Sequence, residues 1–140
     1  MKKIVSLILA AVMLTGCLFM LGCSDKKAKV AIGIGGIGPL TGSTSKYGLS
    51  VKQGAELAVE EINALGEVQL ELNFMDDAND EKKTMEAYAE LKGWGMQVLL
   101  GATTTDPCIK VVAKADKDRM FTVTPSASSP KITRTTGMPM

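Results

Sequence analysis

The chain has 140 residues, 46% hydrophobic and 4% aromatic, with 16 basic against 15 acidic residues and no histidine. That length bounds it to one modest domain. The balanced charge excludes a basic nucleic-acid surface, and three cysteines, two of them within the first 23 residues, exclude a disulfide-stapled framework.

Residues 1–22 carry Lys2 and Lys3 and then an almost unbroken apolar run from Ile4 to Leu21. A basic start, an apolar middle and small residues before a cleavage point make a secretory signal pattern. A membrane-spanning helix needs about 20 apolar residues, and this run is shorter, with Ser6, Thr15 and Gly16 inside it. An export signal is therefore expected rather than a permanent span. Leu14-Thr15-Gly16-Cys17 and Leu21-Gly22-Cys23 both resemble the lipobox of bacterial lipoproteins, in which a small residue precedes a cysteine that becomes acylated and N-terminal. Cys17 has the better local match. Cys23 has the better context, because Ser24-Asp25-Lys26-Lys27 follows it as a polar tether, whereas cleavage at Cys17 leaves Leu18 to Leu21 as an apolar stub. Cys23 is the expected site and Cys17 the alternative. Each buried methylene of such a lipid contributes about 0.8 kcal/mol, so several acyl chains hold a soluble domain at a membrane surface. Residues 23–28 are then a tether, and 29–140 form the domain. Only Cys108 remains besides the acyl acceptor candidates, so the domain must rely on its core. Without Lys2 and Lys3 the basic count falls to 14 against 15 acidic residues, a net charge of −1.

Lys29 to Ile34 reads as a buried central strand. Gly35 to Ser45 reads as a glycine- and hydroxyl-rich loop. Within it, Gly33-x-Gly35-x-x-Gly38 has the form of a dinucleotide fingerprint, but Pro39 and further loop residues follow where a helix should begin. Tyr47 to Leu65 has helical periodicity, with Val51, Ala55, Ala58, Ile62 and Leu65 on one stripe and Lys52, Glu56, Glu60 and Asn63 opposite. Ser43 to Ser45 can cap its start, and Gly66 stops it. Val68 to Phe74 alternates strictly, which predicts a half-exposed strand at a sheet edge. Asp76-Asp77-Ala78-Asn79-Asp80 reads as a solvated turn with Asp80 as N-cap, because calcium-loop spacing and its closing glutamate are absent. A second amphipathic helix is predicted over Glu81 to Lys92, with Thr84, Ala87, Tyr88 and Leu91 inward and Gly93 as its stop.

Val98 to Leu100 is a short strand ended by Gly101. Thr103-Thr104-Thr105-Asp106-Pro107 follows, with proline expected at the first helical position and a hydroxyl or carboxylate residue before it as cap. Such a turn offers unpaired amides, hydroxyls and the positive end of a helix dipole, which together suit a small anion such as a carboxylate. A helix to about Asp118, a strand over Met120 to Thr124 and a second hydroxyl-rich turn over Pro125 to Pro130 complete the chain. The order β-α-β-α-β-α-β predicts an α/β fold, a parallel doubly wound sheet with helices on both faces. Loops at the carboxyl ends of its strands, here 38–47, 101–106 and 125–129, converge on a ligand crevice.

Gly38-Pro39-Leu40-Thr41-Gly42, Tyr47-Gly48, Gly54 to Ala58, Glu61 to Ala64, Asp76-Asp77, the Gly101 turn and Thr124 to Ser128 resemble one family in order and spacing. That family is the branched-chain amino acid type of extracellular solute-binding protein, the type I periplasmic binding protein that serves an ABC importer. The resemblance spans about Val30 to Thr133. It implies a flavodoxin-like strand order and an amino acid held between two lobes joined by a hinge, with a permease and ATPase complex as partner. It further implies that Thr105 gives a hydroxyl and N–H to the ligand carboxylate, with Thr104 beside it. Ser126, Ala127 and Ser128 would give backbone and hydroxyl contacts, the Ser128 hydroxyl serving the ammonium group, and Tyr47 would stand at the cleft edge. Two departures stand out. Some members carry a disulfide at the places held here by Asn79 and Thr104. Members are also more than twice this long, so the chain is expected to be an incomplete first lobe, a fragment or the product of a truncated gene. No cofactor, metal or nucleic-acid partner is expected. A ligand-sensing receptor domain is the neighbouring alternative, and a nucleotide-dependent enzyme using Gly33 to Gly38 the distant one. Against the enzyme stand the lack of histidine and of a serine in a nucleophile-elbow context.

Overall fold

The computed structural model describes residues 31–135. The expected signal segment, the tether, Cys17 and Cys23 lie outside the described residues. Four parallel strands form one sheet in the order β2-β1-β3-β4, with β1 at Ala31–Gly38, β2 at Gln69–Asp76, β3 at Val98–Leu100 and β4 at Phe121–Val123. The helices between and after them are α1 at Ser45–Leu65, α2 at Glu81–Trp94, α3 at Thr105–Lys117 and α4 at Pro130–Thr135. This is the doubly wound parallel arrangement expected from the alternation of elements. Right-handed crossovers put α1 over one face of the sheet and α2 and α3 over the other.

The first strand is longer than its apolar residues suggested. Gly35 to Gly38, read as loop, continue β1 in register with Asn73 to Asp76. The reason is steric. A side chain on Gly36 would collide with the Phe74 ring of β2, and one on Gly35 with Met96 and Leu91. The strand's centre is filled by its neighbours' side chains, so glycine there is a packing requirement rather than a turn signal. Because all three fingerprint glycines lie in or at the end of this strand, with no helix starting at Gly38, the nucleotide-loop alternative has no structural basis.

The core lies on the face covered by α2 and α3. Ile37, Leu91, Leu99, Cys108 and Val111 are fully buried there, joined by Tyr88, Ala87, Met96, Val112 and Ala115. The predicted inward set of α2 holds. Its Asp80 cap also holds, accepting from the Lys83 N–H at 2.9 Å. The helix runs two residues past the expected stop, since Gly95 rather than Gly93 takes the left-handed conformation. At the far end Asp118 fastens α2 to α3. Its carboxylate accepts from Lys92 and Lys114 Nζ, both at 2.8 Å, and from the Tyr88 hydroxyl at 3.0 Å.

Helix α1 differs from expectation in three ways. Thr44 occupies its N-cap position without a side-chain cap hydrogen bond. Asn63, placed on the solvent side by periodicity, instead clasps β2, donating to the Leu70 carbonyl at 3.0 Å and accepting its N–H at 2.7 Å. The apolar stripe is only partly covered, with Ile62 38% and Leu65 76% exposed. Gly66 stops the helix as expected.

Candidate functional site

Strands β1, β3 and β4 are adjacent, with Gly36 opposite Leu100 and Leu100 opposite Val123. Their carboxyl ends therefore present three loops side by side, 39–44, 101–104 and 124–129, at the point where strand order reverses between β1 and β3.

The β3 loop is the most constrained. Gly101 has φ +133°, a conformation that excludes side chains, and a Cβ there would strike the Ile37 carbonyl. The Gly101–Ala102 peptide is cis. Thr103 is fully buried, and both its N–H and its hydroxyl donate to the Ile37 carbonyl, at 3.1 and 3.2 Å. Thr104 is the N-cap of α3, with Thr105, Asp106 and Pro107 as the first three helical residues. The helix thus begins two residues earlier than the proline suggested. Pro107 still forfeits nothing, because first-turn N–H groups have no intrahelical acceptor. The Thr104 hydroxyl is buried and has no hydrogen-bond partner among the described residues. A buried hydroxyl left unpaired costs about 1–3 kcal/mol, which makes it an unmet donor and acceptor at a helix N-terminus.

The β4 loop is tied to the β3 loop by Thr124, which the sequence reading placed at the end of a strand and at the start of the serine motif without a tying role. Thr124 donates its hydroxyl to the Ala102 carbonyl at 3.1 Å and accepts the Ala127 N–H at 3.2 Å. Ser126 and Ser128 are exposed on this loop and Ala127 is half-buried. Cys108, beneath Thr124 and Ala102, is a free buried thiol, and its burial pushes its pKa up, away from reactivity.

The β1 loop is fastened from β2. Asp76 accepts from the Leu40 N–H at 2.7 Å, the Thr41 hydroxyl at 2.6 Å and the Thr41 N–H at 3.3 Å. Burial alone would raise the Asp76 pKa, but these bonds and one from the Ala78 N–H hold its carboxyl below the ordinary range. Asp77 is fully buried, accepting from the Asn79 N–H at 2.9 Å and facing the Thr84 hydroxyl at 3.1 Å. Burial pushes its pKa up. The expected solvated turn is thus a clasp, whose first aspartate organises a loop 36 residues away in sequence. A short acidic run carries no local sign of such distant partners. Tyr47 lies in the first turn of α1 at this end of the sheet, 49% exposed, with Lys46 Nζ 5.2 Å from its ring centre.

The structure thus brings Thr104 and Thr105, at the α3 N-terminus, beside the hydrogen-bonded loop that carries Ser126, Ala127 and Ser128, and sets Tyr47 in the first turn of α1 after the neighbouring loop. Sequence reasoning missed Thr103, Thr124 and Asp76 as the residues that hold these loops. Among the described residues no group of three or more His, Cys, Asp or Glu side chains is arranged to hold a metal.

Residues 31–140 match the family model described as periplasmic binding protein. The chain belongs to the periplasmic binding protein family. A Leu/Ile/Val-binding protein homolog from Brucella melitensis is 38% identical over 105 residues, covering 73% of this chain and 28% of its own. A leucine-, isoleucine-, valine-, threonine- and alanine-binding protein from Pseudomonas aeruginosa is 32% identical over 102 residues, covering 69% and 26%. Among solved structures, the branched-chain amino acid transporter substrate binding protein LivJ from Streptococcus pneumoniae, in complex with isoleucine, superposes with a TM-score of 0.71. It is 28% identical, over 75% of this chain and 31% of that one. A solute binding protein of an ABC transporter from Rhodopseudomonas palustris, in complex with 3,4-dihydroxybenzoic acid, has the same fold (TM-score 0.69, 20% identity, over 76% of this chain and 30% of that one). This periplasmic binding protein chain spans less than a third of the length of the curated relatives it matches. Residues 1–17 match a prokaryotic membrane lipoprotein lipid attachment site, which marks the chain as exported and lipid-anchored.

Proposed function

We propose that this chain supplies the first-lobe wall of a cleft for a small amino acid, as ligand-binding component of an ABC importer, and performs no chemistry. The observation that carries this reading is the unpartnered Thr104 hydroxyl at the α3 N-terminus, adjoining the serine-bearing loop tied on by Thr124. In this reading the amides and hydroxyls of Thr104 and Thr105 hold the ligand carboxylate. Ser126, Ala127 and Ser128 hold the ammonium group with carbonyl and hydroxyl oxygens, and Tyr47 borders the opening. The amino acids named for the relatives support the branched-chain class. The aromatic acid in one structural neighbour shares only the carboxylate. A sensor that reports ligand to a signalling partner would use the same wall.

The test is an amide chemical-shift titration of the 140-residue chain with isoleucine, isoleucine methyl ester and 4-hydroxybenzoate. With one wall, isoleucine is expected to bind with a dissociation constant on the order of 1 mM or weaker, moving the amides of Thr105, Asp106 and Ser126 to Ser128. The ester and Thr105→Val are expected to abolish those shifts. Shifts confined to other residues, or shifts unchanged by Thr105→Val, overturn the assignment.

The lipid goes on one of two cysteines. The attachment-site match ends on Cys17 and supports it, with Leu14-Thr15-Gly16 before it as the better lipobox. The polar tether Ser24-Asp25-Lys26-Lys27 that follows Cys23 speaks for that cysteine instead. We assign Cys17, and mass spectrometry of the acylated N-terminal peptide from Cys17→Ala and Cys23→Ala variants decides it, since only the former is expected to lose the lipid.

A further inference from the structure

In a parallel sheet each crossover helix runs back against its strands, so the last helical turns gather at the amino end of the sheet, away from the crevice. Leu65 closes α1, Trp94 closes α2 and Lys117 closes α3. The chain enters the domain at this same end, where β1 begins at Ala31. The eight residues of β1, about 26 Å of strand, separate it from the crevice loops.

Three observations set this end apart. Its apolar residues are uncovered, with Leu65 76%, Trp94 41% and Val68 39% exposed. Trp94 is the single tryptophan of the chain. Its ring lies over β1, where a Cβ on Gly33 would meet it at 3.2 Å, so the indole is held in place with part of its surface in solvent. Such a side chain, apolar in body with one N–H, suits the boundary between lipid and water. The charge also differs. Residues 24–29, 62–68, 91–97 and 114–120 hold seven basic and four acidic residues, a net of +3, while the rest of the chain after Cys23 holds seven and eleven, a net of −4. Lysines at helix C-termini also oppose the helix dipole, but an uncovered indole and leucine beside them do not. Finally, lipid attachment keeps a bilayer within reach. From Cys17 to Ala31 the chain spans no more than about 50 Å, and from Cys23 no more than about 30 Å. A surface tethered so closely meets lipid at about millimolar effective concentration, so a weak contact is enough.

We propose that the amino end of the sheet docks on an anionic phospholipid surface, as a second attachment beside the acyl chains. Trp94, Leu65 and Val68 settle at the headgroup boundary, and Lys117, Arg119 and the lysines before Ala31 meet the lipid phosphates. No helix among the described residues is long and apolar enough to cross a membrane, so the domain lies on the lipid. Docked this way, the crevice loops face away from the bilayer.

The proposal concerns the lipid surface and needs no amino acid. The acylated chain is reconstituted into vesicles of phosphatidylethanolamine and phosphatidylglycerol, with and without bromine on the acyl chains, and Trp94 fluorescence is read. Bromine quenches an indole only at close range. Emission is expected to fall about twofold in the brominated vesicles and to lie at shorter wavelength than at high salt, where docking weakens. Lys117→Glu and Leu65→Gln replace exposed residues, so the chain should still fold. Each is expected to lower the docked-to-free ratio about fivefold or more. Lys82→Glu makes the same charge change in the first turn of α2, at the crevice end, where the side chain is 86% exposed, and is expected to leave docking unchanged. The proposal is overturned if bromine leaves the emission unchanged, or if all three variants behave alike. It is equally overturned if the emission shifts only at high protein density and without bromine quenching, which would make a second copy the occupant.

Discussion

The two faces of the sheet use the same kinds of residue and arrive at opposite degrees of burial. On the face under α2 and α3, Leu91, Leu99 and Val111 are fully enclosed. One position away along β3, Val98 and Leu100 turn to the other face and are only half-buried. Alternation decides which face a strand residue takes. What is stacked on that face decides whether burial follows.

That contrast can be broken first by truncation. Leu99→Ala is expected to destabilise the chain by about 2–5 kcal/mol in urea unfolding, as a buried leucine whose cavity cannot collapse. Val123→Ala on the open face should stay within about 0.5 kcal/mol. Equal losses would mean the faces do not differ. The next test concerns Gly48, the buried residue of α1. A Cβ there would collide with the Pro39 backbone, so Gly48→Ala is expected to cost about 1–3 kcal/mol despite the helix preferring alanine. An unchanged melting point would show that the open-face helix is loosely held even at its closed end.

Asp77 tests the covered side more finely. The Thr84 hydroxyl has one proton and two acceptors, Asp77 Oδ2 and the Asp80 carbonyl at 2.7 Å. A protonated Asp77, or an asparagine, can donate to Thr84 while Thr84 donates to Asp80. Asp77→Asn is therefore expected to keep neutral-pH stability, and Asp77→Ala to lose about 1–3 kcal/mol. Because burial raises the folded pKa of Asp77 above its ordinary 3.8, stability should rise slightly as pH falls through that raised value. Asp77→Asn should remove the rise. Asp118 behaves in the opposite sense. Lys114, Lys92 and Tyr88 hold its folded pKa well below 3.8, so its contribution is present above the ordinary value and lost as pH falls below it. Asp118→Asn should lower the neutral-pH melting midpoint slightly and flatten the acid limb of the pH–stability curve, measured by circular dichroism.

The parts of the fold legible in the sequence were those written locally. The β3 run Val98 to Leu100, the Asp80 cap, the Gly66 stop and the inward set of α2 each depend on neighbours within a turn or two. What was not legible depends on distant partners. Gly35 to Gly38 look like loop until Phe74 and Met96 fill the space above them. The Asp76 clasp and the Asn63 tie reach across elements, and Gly95 is chosen over Gly93 by how α2 closes onto Met96, whose N–H reaches the Leu91 carbonyl. At the candidate site, the hydroxyl-rich composition pointed to the three loops. The threonines that hold them, Thr103 and Thr124, gave no local signal that set them apart from Thr104 and Thr105. The six-residue α4 was too short for periodicity to announce it.

The Thr124 hydroxyl has a directional consequence. With its proton committed to the Ala102 carbonyl, it receives the Ala127 N–H on its lone pair. The Ala127 amide is thereby engaged within the loop and not offered to another group. In the proposed reading that leaves the ligand's ammonium group, which brings its own protons, as the better neighbour for this residue. One threonine thereby joins two loops and commits its neighbour's amide at the same time.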